Sequence, residues 1–408
     1  LPICGVVVGE VVGHLHDLPL DAGQVGSLLG HHVAVSRVHG AGGQLDVVAG
    51  SDQLDVVAGG AHRQGEGLAV DADLQRLLDR DRVVPSVVLD EGVHAQRLGE
   101  LPEPAQLGVV DPAGRLTLDG ADLGLDITPV ARPRFYDLST ADGVAYDKIG
   151  KLHGTNVLAT TVVQTCVRYA ESERCRFCAI EASLDAGSTI AVKTPAMLAE
   201  VAEAAVRLDG VTSMVMTTGT SNGWDRGAKH LARCVRAVKD AVPSLEIQVQ
   251  CEPPADLQAI TDLYDAGARS IGIHVESMDD AVRSRWMPGK SRVTMAEYRT
   301  AWREAVRVFG RNQVSTYLLV GLGEDPDELV DGARELVDMG VYPFVVPFRP
   351  LAGTLATDVD HVPAPDRQVV NDVTARVATL RRDAGMRGAD QRAGCAACGA
   401  CSALQTAG

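Results

Sequence analysis

Between residues 157 and 385, six apolar, strand-like runs alternate with amphipathic stretches, and this alternation constrains the fold most strongly. Runs that are apolar on both faces and alternate with helices indicate a buried parallel sheet. Six such units, with no GxGxxG after the first strand, predict an α/β fold. We expect a partial (β/α)6 TIM-type barrel rather than a two-domain nucleotide-binding fold, with its chemistry at the C-terminal ends of the strands. The runs are 157–165, 213–220, 245–252, 270–276, 314–323 and 342–350.

Residues 1–130 differ in composition from the rest of the chain. They contain no Phe, Tyr, Trp, Met, Lys or Asn. A segment so poor in bulky side chains buries little apolar surface to offset its conformational entropy. Composition favours a poorly ordered N-terminal extension of doubtful fold, or a wrong-frame translation of GC-rich DNA, over an accessory domain. We therefore expect the barrel core over residues 131–385 and a cysteine-containing tail over residues 386–408.

Three cysteines follow the first predicted strand directly. Cys166, Cys175 and Cys178 lie in "QTCVRYAESERCRFCAIE", which places them on a loop above the barrel mouth. Thiolates are soft ligands that suit zinc, copper(I) or iron–sulfur clusters. A [4Fe–4S] cube held by three cysteines leaves one iron open for a small molecule. Zinc with a distant fourth ligand, His153 or His274, is the main alternative.

Charge and cysteine usage limit the class of protein. The formal net charge of −16 and the pI near 5.1 argue against a broad phosphate-binding surface, so we expect no nucleic-acid partner. The first residues carry no basic leader and no apolar run is long enough to span a bilayer, so we expect no membrane association. In the reducing, cytoplasmic setting that follows, clustered cysteines are expected to hold metal or perform chemistry.

From about Ala131 onward the chain resembles the radical S-adenosylmethionine (SAM) superfamily. Its members hold a [4Fe–4S] cluster with three cysteines after the first barrel strand, and SAM chelates the open iron. One electron then cleaves SAM to methionine and a 5′-deoxyadenosyl radical, which abstracts hydrogen from the substrate. The usual spacing is Cys-x3-Cys-x-aromatic-Cys. Here "CRFC" matches the second half, with Phe177 at the position near the adenine, whereas the first gap has eight residues instead of three.

Later segments resemble the SAM-binding motifs of that superfamily. "MTTGTS" resembles the Gly-Gly-Glu-like motif without its acidic residue, which implies that the backbone of Thr217, Thr218 and Gly219 receives the SAM amino group. In "GIHVES", Glu276 takes the place of a residue that binds the SAM ribose or amino group in biotin-synthase-like members. The resemblance thus places SAM contacts at the ends of the second and fourth strands.

Two further segments extend the resemblance. "VGLGED" resembles the Gly-rich turn that contacts adenine, where Gly321 and Gly323 let the backbone approach a flat base. "SRWMPGK" resembles a Pro-Gly segment of biotin synthase and hydrogenase-maturase relatives. It implies that Arg283 or Arg285 faces the methionine carboxylate, because a guanidinium binds carboxylate bidentately.

A second cysteine group lies near the end of the chain. Cys395, Cys398 and Cys401 have the spacing Cys-x2-Cys-x2-Cys, which recurs in bacterial ferredoxins. The spacing predicts a second iron–sulfur cluster whose fourth ligand is a distant side chain or the substrate. A zinc site and a mobile metal-scavenging tail are the alternatives.

Several other residues are expected near the barrel mouth. Glu252 is a SAM or substrate contact by its position, and Cys251 beside it is expected to pack. A basic cluster between the first cysteines could dock a negative ferredoxin or flavodoxin as electron donor, with solvated loop charges as the alternative. Cys234 is expected to be a buried helix residue. The remaining cavity candidates are His274, Tyr317 and Arg349, and the basic cluster is Arg168, Arg174 and Arg176.

Within the superfamily, the chain most resembles a group of bacterial radical SAM proteins encoded beside nitrilase genes. Its segments "PRFYDL", "KTPAMLAEV", "QCEPP" and "VYPFVVPF" carry that resemblance. We expect an enzyme that abstracts hydrogen from an unidentified small-molecule substrate. A zinc-binding TIM-barrel hydrolase or lyase and a noncatalytic iron–sulfur carrier remain as alternatives.

Overall fold

The computed structural model of the protein describes residues 131–399 and 401–405, and six strands before them. The chain divides into two compact units, with the boundary between Arg132 and Pro133. The six strands form one antiparallel sheet in the first unit. The rest of residues 1–130 lies outside the described part of the chain, so the expected poorly ordered extension stays a prediction. In chain order the strands are β1 Ala34–Gly40, β2 Gly43–Leu45, β3 Ser86–Val88, β4 Leu107–Val110, β5 Arg115–Leu118 and β6 Ala121–Val130.

Seven strands form the sheet of the second unit. Its strand order is the chain order, and every neighbouring pair is parallel except the hairpin of the first two strands. The predicted partial (β/α)6 barrel is thereby confirmed. The first and last strands are the edges of this sheet. The strands are β7 Lys151–His153, β8 Val157–Thr161, β9 Ser213–Thr217, β10 Glu246–Gln250, β11 Ser270–Gly272, β12 Val314–Val320 and β13 Val341–Pro347.

Capping residues mark the ends of several helices of this unit. Several have Thr or Asp side chains that accept backbone N–H groups at the N-terminus, as at Thr194 and Asp325. Gly210 and Gly340 end two of them in the left-handed conformation. The helices are α1 Ala182–Asp185, α2 Pro195–Asp209, α3 Ala228–Ala241, α4 Gln258–Asp265, α5 Asp280–Trp286, α6 Met295–Phe309, α7 Pro326–Met339, α8 Leu355–Asp358, α9 Arg367–Asp383 and α10 Cys395–Cys398.

The core lies between the parallel sheet and these helices. All seven residues of β12 are buried, as expected for a strand covered on both faces. On α6, the Trp302 indole donates to the carbonyl of Ile273 at 2.9 Å, and the Tyr298 hydroxyl donates to the carbonyl of His274 at 3.1 Å. These bonds fix the segment that follows β11, where the predicted SAM-binding Glu276 lies.

The predicted cysteine tail packs against the barrel. The side chains of Asn312 and Gln313, just before β12, donate to the carbonyls of Arg387 and Asp390. Further along, the Ser402 hydroxyl donates to the carbonyl of Val345 on β13. The tail therefore starts at the N-terminal end of the strands and reaches an edge strand of the sheet. None of the helices in the described part of the chain is both long and apolar enough to cross a membrane.

Candidate functional site

The loop that carries the first three cysteines leaves the C-terminal end of β8. Three backbone turns shorten the path between the thiols: the N–H of Tyr169 donates to the carbonyl of Cys166, that of Arg174 to Ala170, and that of Cys178 to Cys175, at 2.8–3.0 Å. The extra residues of the eight-residue gap are folded into the first two of these turns. The long gap is therefore compatible with three thiols on one loop at the barrel mouth.

The electrostatics of this loop suit a cationic ligand. Burial raises the pKa of the Cys175 thiol well above its usual value, with Cys178, Glu276 and Glu252 adding to the rise and Lys290 opposing it. Burial also raises the pKa of Cys178 to about 11, and Cys166 contributes. Thiolates here would need positive charge to offset their burial, which an iron–sulfur cluster provides.

The donor set fits such a cluster, although the thiols do not yet form a closed site. Within the residues that the structure describes, no three His, Cys, Asp or Glu side chains form a ready metal-binding group. The three cysteines are free and partly exposed. A ligand can therefore reach them.

Glu276 lies on the segment after β11, at the C-terminal ends of the parallel strands. It follows β11 with a φ of 65°, in the left-handed region that residues with a Cβ rarely adopt. Its side chain is fully buried, and one carboxylate oxygen accepts from the Lys290 ammonium at 2.6 Å. The other oxygen, Oε1, has no hydrogen-bond partner among the described residues. Buried polar atoms are rarely left without a partner, so this oxygen is a candidate contact for a ligand.

Lys290 is a residue that the sequence analysis missed. It is buried, and although burial opposes its charge, Glu276 raises its pKa. It is the last residue of the "SRWMPGK" segment, in which the sequence predicts a ligand contact only for the arginines. A lysine next to a Pro-Gly turn carries no signal of burial, because lysines are almost always exposed.

The end of β9 crosses closely over the cysteine loop. The N–H of Gly219 donates to the carbonyl of Val163 at 2.8 Å. A Cβ on Gly219 would lie 2.1 Å from the carbonyl oxygen of Thr165, directly before Cys166. This is why the motif at Thr217, Thr218 and Gly219 needs a glycine at its third position. The Thr218 hydroxyl donates to the carbonyl of Gly219 at 2.9 Å.

Glu252, after β10, is already engaged by two neighbours. Its carboxylate accepts from the Arg168 guanidinium at 2.6 Å and from the Thr220 hydroxyl at 2.7 Å. The structure thus brings Glu252 to the cysteine loop, where it fixes Arg168. Cys251 beside it is buried, and burial raises its pKa to about 12.

The glycine-rich turn after β12 forms the far side of the mouth. Its backbone N–H groups at Gly321 and Leu322 donate to the Glu324 carboxylate at 2.8 Å each. Gly321 and Gly323 have left-handed φ values of 106° and 93°. The space beside Gly323 leads to the Arg285 guanidinium, 4.0 Å from where a Cβ would lie.

The structure distinguishes the two candidate arginines. Arg283 is buried, and its guanidinium donates to Asp280 at 2.9 Å and to the carbonyl of Val293. It also lies over the Tyr298 ring, 5.1 Å from the centroid. Arg283 thus holds α5 in place, whereas Arg285 lies at the glycine-rich turn.

Phe177 packs into an aromatic group instead of projecting alone. Its ring centroid is 6.4 Å from that of Trp286, which lies 5.5 Å from Phe348. The structure therefore connects the cysteine loop to α5 and to the end of β13 through one apolar contact.

A polar cluster lies inside the barrel. The His274 ring stacks on Tyr317 with 3.9 Å between centroids, and its Nδ1 accepts the N–H of Tyr317 at 3.2 Å. The Tyr317 hydroxyl donates to Cys395 Sγ at 2.8 Å, and Gln250 Nε2 donates to the same sulfur at 3.3 Å. Because Nδ1 of His274 accepts, Nε2 carries the proton. Neither His274 Nε2 nor Gln250 Oε1 has a hydrogen-bond partner in the part of the chain described.

The other two tail cysteines lie away from this cluster of barrel side chains. Cys398 Sγ is 3.6 Å from His153 Nδ1, on the edge strand β7. The carbonyl of Cys401 accepts a hydrogen bond from Arg349 at 3.4 Å. Arg349, one of the predicted cavity residues, thus contacts the tail. Cys234 is buried within α3, as predicted.

The basic cluster of the loop is largely paired. Arg168 binds Glu252, and Arg176 binds Asp360. Arg174 lies over the Tyr169 ring at 5.0 Å from the centroid. Docking of an electron donor through this cluster stays a prediction.

The fold and site define an α/β barrel protein with a thiol-rich loop above the C-terminal ends of its strands. Residues 171–336 match the sequence model described as "Radical SAM superfamily", a range that includes Cys175, Cys178 and Glu276. The core of the chain is therefore similar in sequence to the radical SAM superfamily.

The chain is also similar to curated proteins. The chain is 27% identical over 214 residues to mitochondrial lipoyl synthase of Sordaria macrospora, which covers 50% of this chain and 46% of the relative. It is also 27% identical over 143 residues to bacteriochlorophyllide c C-7(1)-hydroxylase of Chlorobaculum limnaeum, covering 35% of each chain. The chain thus spans less than half the length of these relatives. Among solved structures, methylornithine synthase has a TM-score of 0.42 at 15% identity, covering 62% of this chain and 78% of its own.

Proposed function

We propose that the protein is a radical SAM enzyme that abstracts hydrogen from a small-molecule substrate bound inside its barrel. One observation carries this proposal. The buried Glu276 lies near the loop of Cys166, Cys175 and Cys178, since its charge helps to raise the pKa of Cys175. Its Oε1 accepts no hydrogen bond from the described residues and is available to a ligand. A three-thiolate loop beside a spare carboxylate is what a cluster with one open iron and an amino-group ligand requires.

Different residues of the chain would bind the cluster and SAM. The three loop cysteines would hold a [4Fe–4S] cluster, which, when bound, supplies the electron that cleaves SAM to methionine and a 5′-deoxyadenosyl radical. Glu276 would accept a hydrogen bond from the SAM amino group or ribose through Oε1, while Lys290 binds its other carboxylate oxygen. Gly219, Gly321 and Gly323 would let backbone approach the cofactor. Of the two arginines, Arg285 is free of the internal contacts that hold Arg283, so we assign it the methionine carboxylate.

The polar cluster below the mouth supports a polar substrate. His274 Nε2 offers a donor and Gln250 Oε1 an acceptor, both buried and without partners in the described part of the barrel. Burial, assisted by the charge of Lys290, lowers the pKa of His274 well below its usual value, so the ring stays neutral. A substrate that carries both an acceptor and a donor would satisfy both groups. The surrounding barrel would exclude water from the radical.

Metal analysis and SAM cleavage test this proposal against its alternatives. Protein purified without oxygen is expected to contain about four irons and four sulfides at the loop. Incubation with dithionite and SAM is expected to give 5′-deoxyadenosine. Zinc without iron would favour a zinc-dependent hydrolase or lyase, and a cluster without 5′-deoxyadenosine would favour a noncatalytic carrier.

Two cysteine variants sharpen this test. Cys178→Ala is expected to abolish cleavage, since the loop then offers two thiols. Cys234→Ala is the matched control, because that thiol is buried in α3 and its loss should leave cleavage intact. Equal cleavage by both variants would contradict the assignment of the loop.

The finer predictions are part of the same proposal. We infer a flavodoxin or ferredoxin as electron donor and a cytoplasmic location, and we expect the gene to lie in a nitrilase gene cluster. A second iron–sulfur cluster on Cys395, Cys398 and Cys401 stays a prediction. Iron in excess of about four per chain would support it.

A further inference from the structure

Two polar atoms buried inside the barrel have no hydrogen-bond partner among the described residues. They are Oε1 of Gln250, the last residue of β10, and Nε2 of His274, which lies two residues after the end of β11. The Gln250 side chain belongs to a residue that is 1% exposed, and His274 is 2% exposed. Buried polar atoms are almost always bonded, so this pair indicates a polar group bound between the two side chains.

The orientation of the Gln250 amide follows from its neighbours. Gln248 Oε1 accepts the backbone N–H of Cys395 at 3.3 Å, which identifies it as the acceptor end of that amide. Gln250 Nε2 donates to this oxygen at 2.9 Å and to Cys395 Sγ at 3.3 Å. The nitrogen of Gln250 therefore faces Gln248 and the tail. Its Oε1, on the other arm of the amide, is turned away from both.

The His274 ring directs its second nitrogen towards the same strand. Its Nδ1 accepts the N–H of Tyr317 on β12 at 3.2 Å, so the ring is neutral and Nε2 carries the proton. Because β11 lies between β12 and β10 in the sheet, Nε2 is turned towards β10. A Cβ on Gly272 would lie 2.7 Å from His274 Nε2 and 3.1 Å from Gln250 Cγ. The donor of one side chain and the acceptor of the other thus border one space over Gly272.

The charges around this space favour an uncharged ligand. Gln250 and His274 are both neutral, and Glu276, two residues after His274, is paired with Lys290 at 2.6 Å. A carboxylate bound between the two side chains would therefore lack a counter-charge, which is costly in the interior. A carboxamide is uncharged and carries an acceptor beside a donor. Its oxygen can accept from His274 Nε2, and its nitrogen can donate to Gln250 Oε1.

We propose that His274 and Gln250 bind a carboxamide group of the substrate. This inference rests on the proposed function, because it takes the barrel interior as the place where the substrate binds. Each partner of the amide satisfies one buried atom that the protein leaves without a bond. Since Glu276 lies two residues further along the same segment, the anchored amide determines which substrate carbon faces the SAM-binding residues. The two side chains would thus determine specificity.

Binding of small probes to the full chain tests the class of ligand without SAM cleavage. The probes are butyramide, butyrate and butan-1-ol, which share a carbon chain and differ in the polar group. Isothermal titration calorimetry of protein purified without oxygen measures their dissociation constants. We expect butyramide to bind about tenfold more tightly than the other two, which leave a buried group unpaired or an ion uncompensated. Equal or tighter binding of butyrate or butan-1-ol would overturn the proposal. Binding of none would mean a buried water only, and would overturn it too.

Substitutions at His274 separate the Nε2 donor from the structural role of the ring. In His274→Asn the shorter amide can still accept the N–H of Tyr317 but places no donor at Nε2, so we expect about tenfold weaker binding of butyramide. His274→Gln places an amide nitrogen near the Nε2 position and should recover part of the affinity. His361→Asn is the matched control, because His361 is exposed and bonded to the carbonyl of Thr357. Unchanged affinity in a folded His274→Asn would overturn the assignment.

A measurement on the unmodified protein decides the matter if His274→Asn does not fold. In protein labelled with ¹⁵N-histidine, the Nε2 signal of His274 is expected to shift with butyramide and to stay unchanged with butyrate. No shift with butyramide would overturn the proposal.

These outcomes are separate from those that test SAM cleavage. Absence of 5′-deoxyadenosine together with selective binding of butyramide would contradict the proposed function and leave the amide site standing. Formation of 5′-deoxyadenosine without selectivity for the amide would do the reverse.

Discussion

Glu276 combines two energetically costly features, a buried ion pair with Lys290 and a left-handed backbone. A buried ion pair is costly to form, and a left-handed backbone at a non-glycine residue costs a further 1–3 kcal/mol or so. Both features coincide at Glu276. Strain of this kind persists where the surrounding structure imposes it and is typical of ligand contacts. The Glu276–Lys290 pair therefore contributes little to stability. It holds the Glu276 carboxylate in a fixed orientation towards a bound molecule.

Removing the lysine should show how strongly the carboxylate depends on it. Lys290→Met leaves Glu276 buried and unpaired, so we expect the free energy of unfolding to fall by about 3–5 kcal/mol. Urea denaturation measures this change. Adding Glu276→Gln should recover much of the loss, because the unpaired charge is gone. Equal stability of Lys290→Met and the unmodified protein would contradict the buried pair.

Lys193 should make the stability depend on pH. Burial lowers its pKa from 10.5 to about 7, assisted by the charge of Lys151. Between these values the unfolded chain binds one more proton than the folded one, so stability rises as the pH increases. The slope is up to about 1.4 kcal/mol per pH unit. Below about pH 7 the cost of burying the charge is fully present.

Substituting Lys193 isolates this contribution. Lys193→Met should remove the rise in stability, measured by urea denaturation at pH 7, 8 and 9. Lys148→Met, at an exposed lysine, serves as control and should keep it. An unchanged slope in Lys193→Met would mean that the ammonium is not desolvated.

At the scale of elements, the ends of the parallel strands decide where ligands can bind. The apolar runs predicted as strands extend past the observed ends, as in 270–276 against β11 Ser270–Gly272. The extra residues still carry some bonds to β12, such as that from the N–H of Glu276 to the carbonyl of Tyr317. The ladder is interrupted there because the N–H of Val275 donates to the Thr316 hydroxyl and that of Tyr317 to the His274 ring instead of to backbone carbonyls. Loops that cross closely at these ends fix the cysteine loop.

Gly219 should be essential to that crossing. In Gly219→Ala the new Cβ would overlap the carbonyl oxygen of Thr165, so the β9 end must move away from the cysteine loop. We expect a loss of about 1–3 kcal/mol in stability and a marked loss of bound iron. Gly223→Ala is the matched control, since nothing lies within 4 Å of its Cβ. Thermal unfolding and iron analysis measure both effects; full iron content in Gly219→Ala would contradict the close crossing.

At the scale of the whole molecule, the barrel unit begins with a well-anchored segment. Phe135 is fully buried, and its N–H donates to Asp209 at 2.9 Å. The Tyr136 hydroxyl accepts the N–H of Leu152 at 2.9 Å. The unit boundary between Arg132 and Pro133 lies just before these contacts. The unit therefore holds its own core and its own binding site.

Deletion at this boundary should be tolerated. A chain that starts at Pro133 is expected to keep the iron content and SAM cleavage of the full chain, because every predicted ligand lies after it. A chain that starts at Leu138 loses Phe135 and Tyr136 and should be less stable by about 3–5 kcal/mol or more. Circular dichroism melting compares the two. Loss of iron in the longer chain would show that residues 1–132 contribute to the site.

The sequence alone determined the alternation of strands and helices and the position of three cysteines after the first strand of that alternation. Those features depend on local periodicity and on residues adjacent in the chain. Only the tertiary structure decided that Lys290 pairs with Glu276, that Cys395 reaches Tyr317, and that His153 contacts Cys398. These pairs are 14, 78 and 245 residues apart. Packing brings them together, and the spacing of residue types along one chain does not encode which distant side chains will meet.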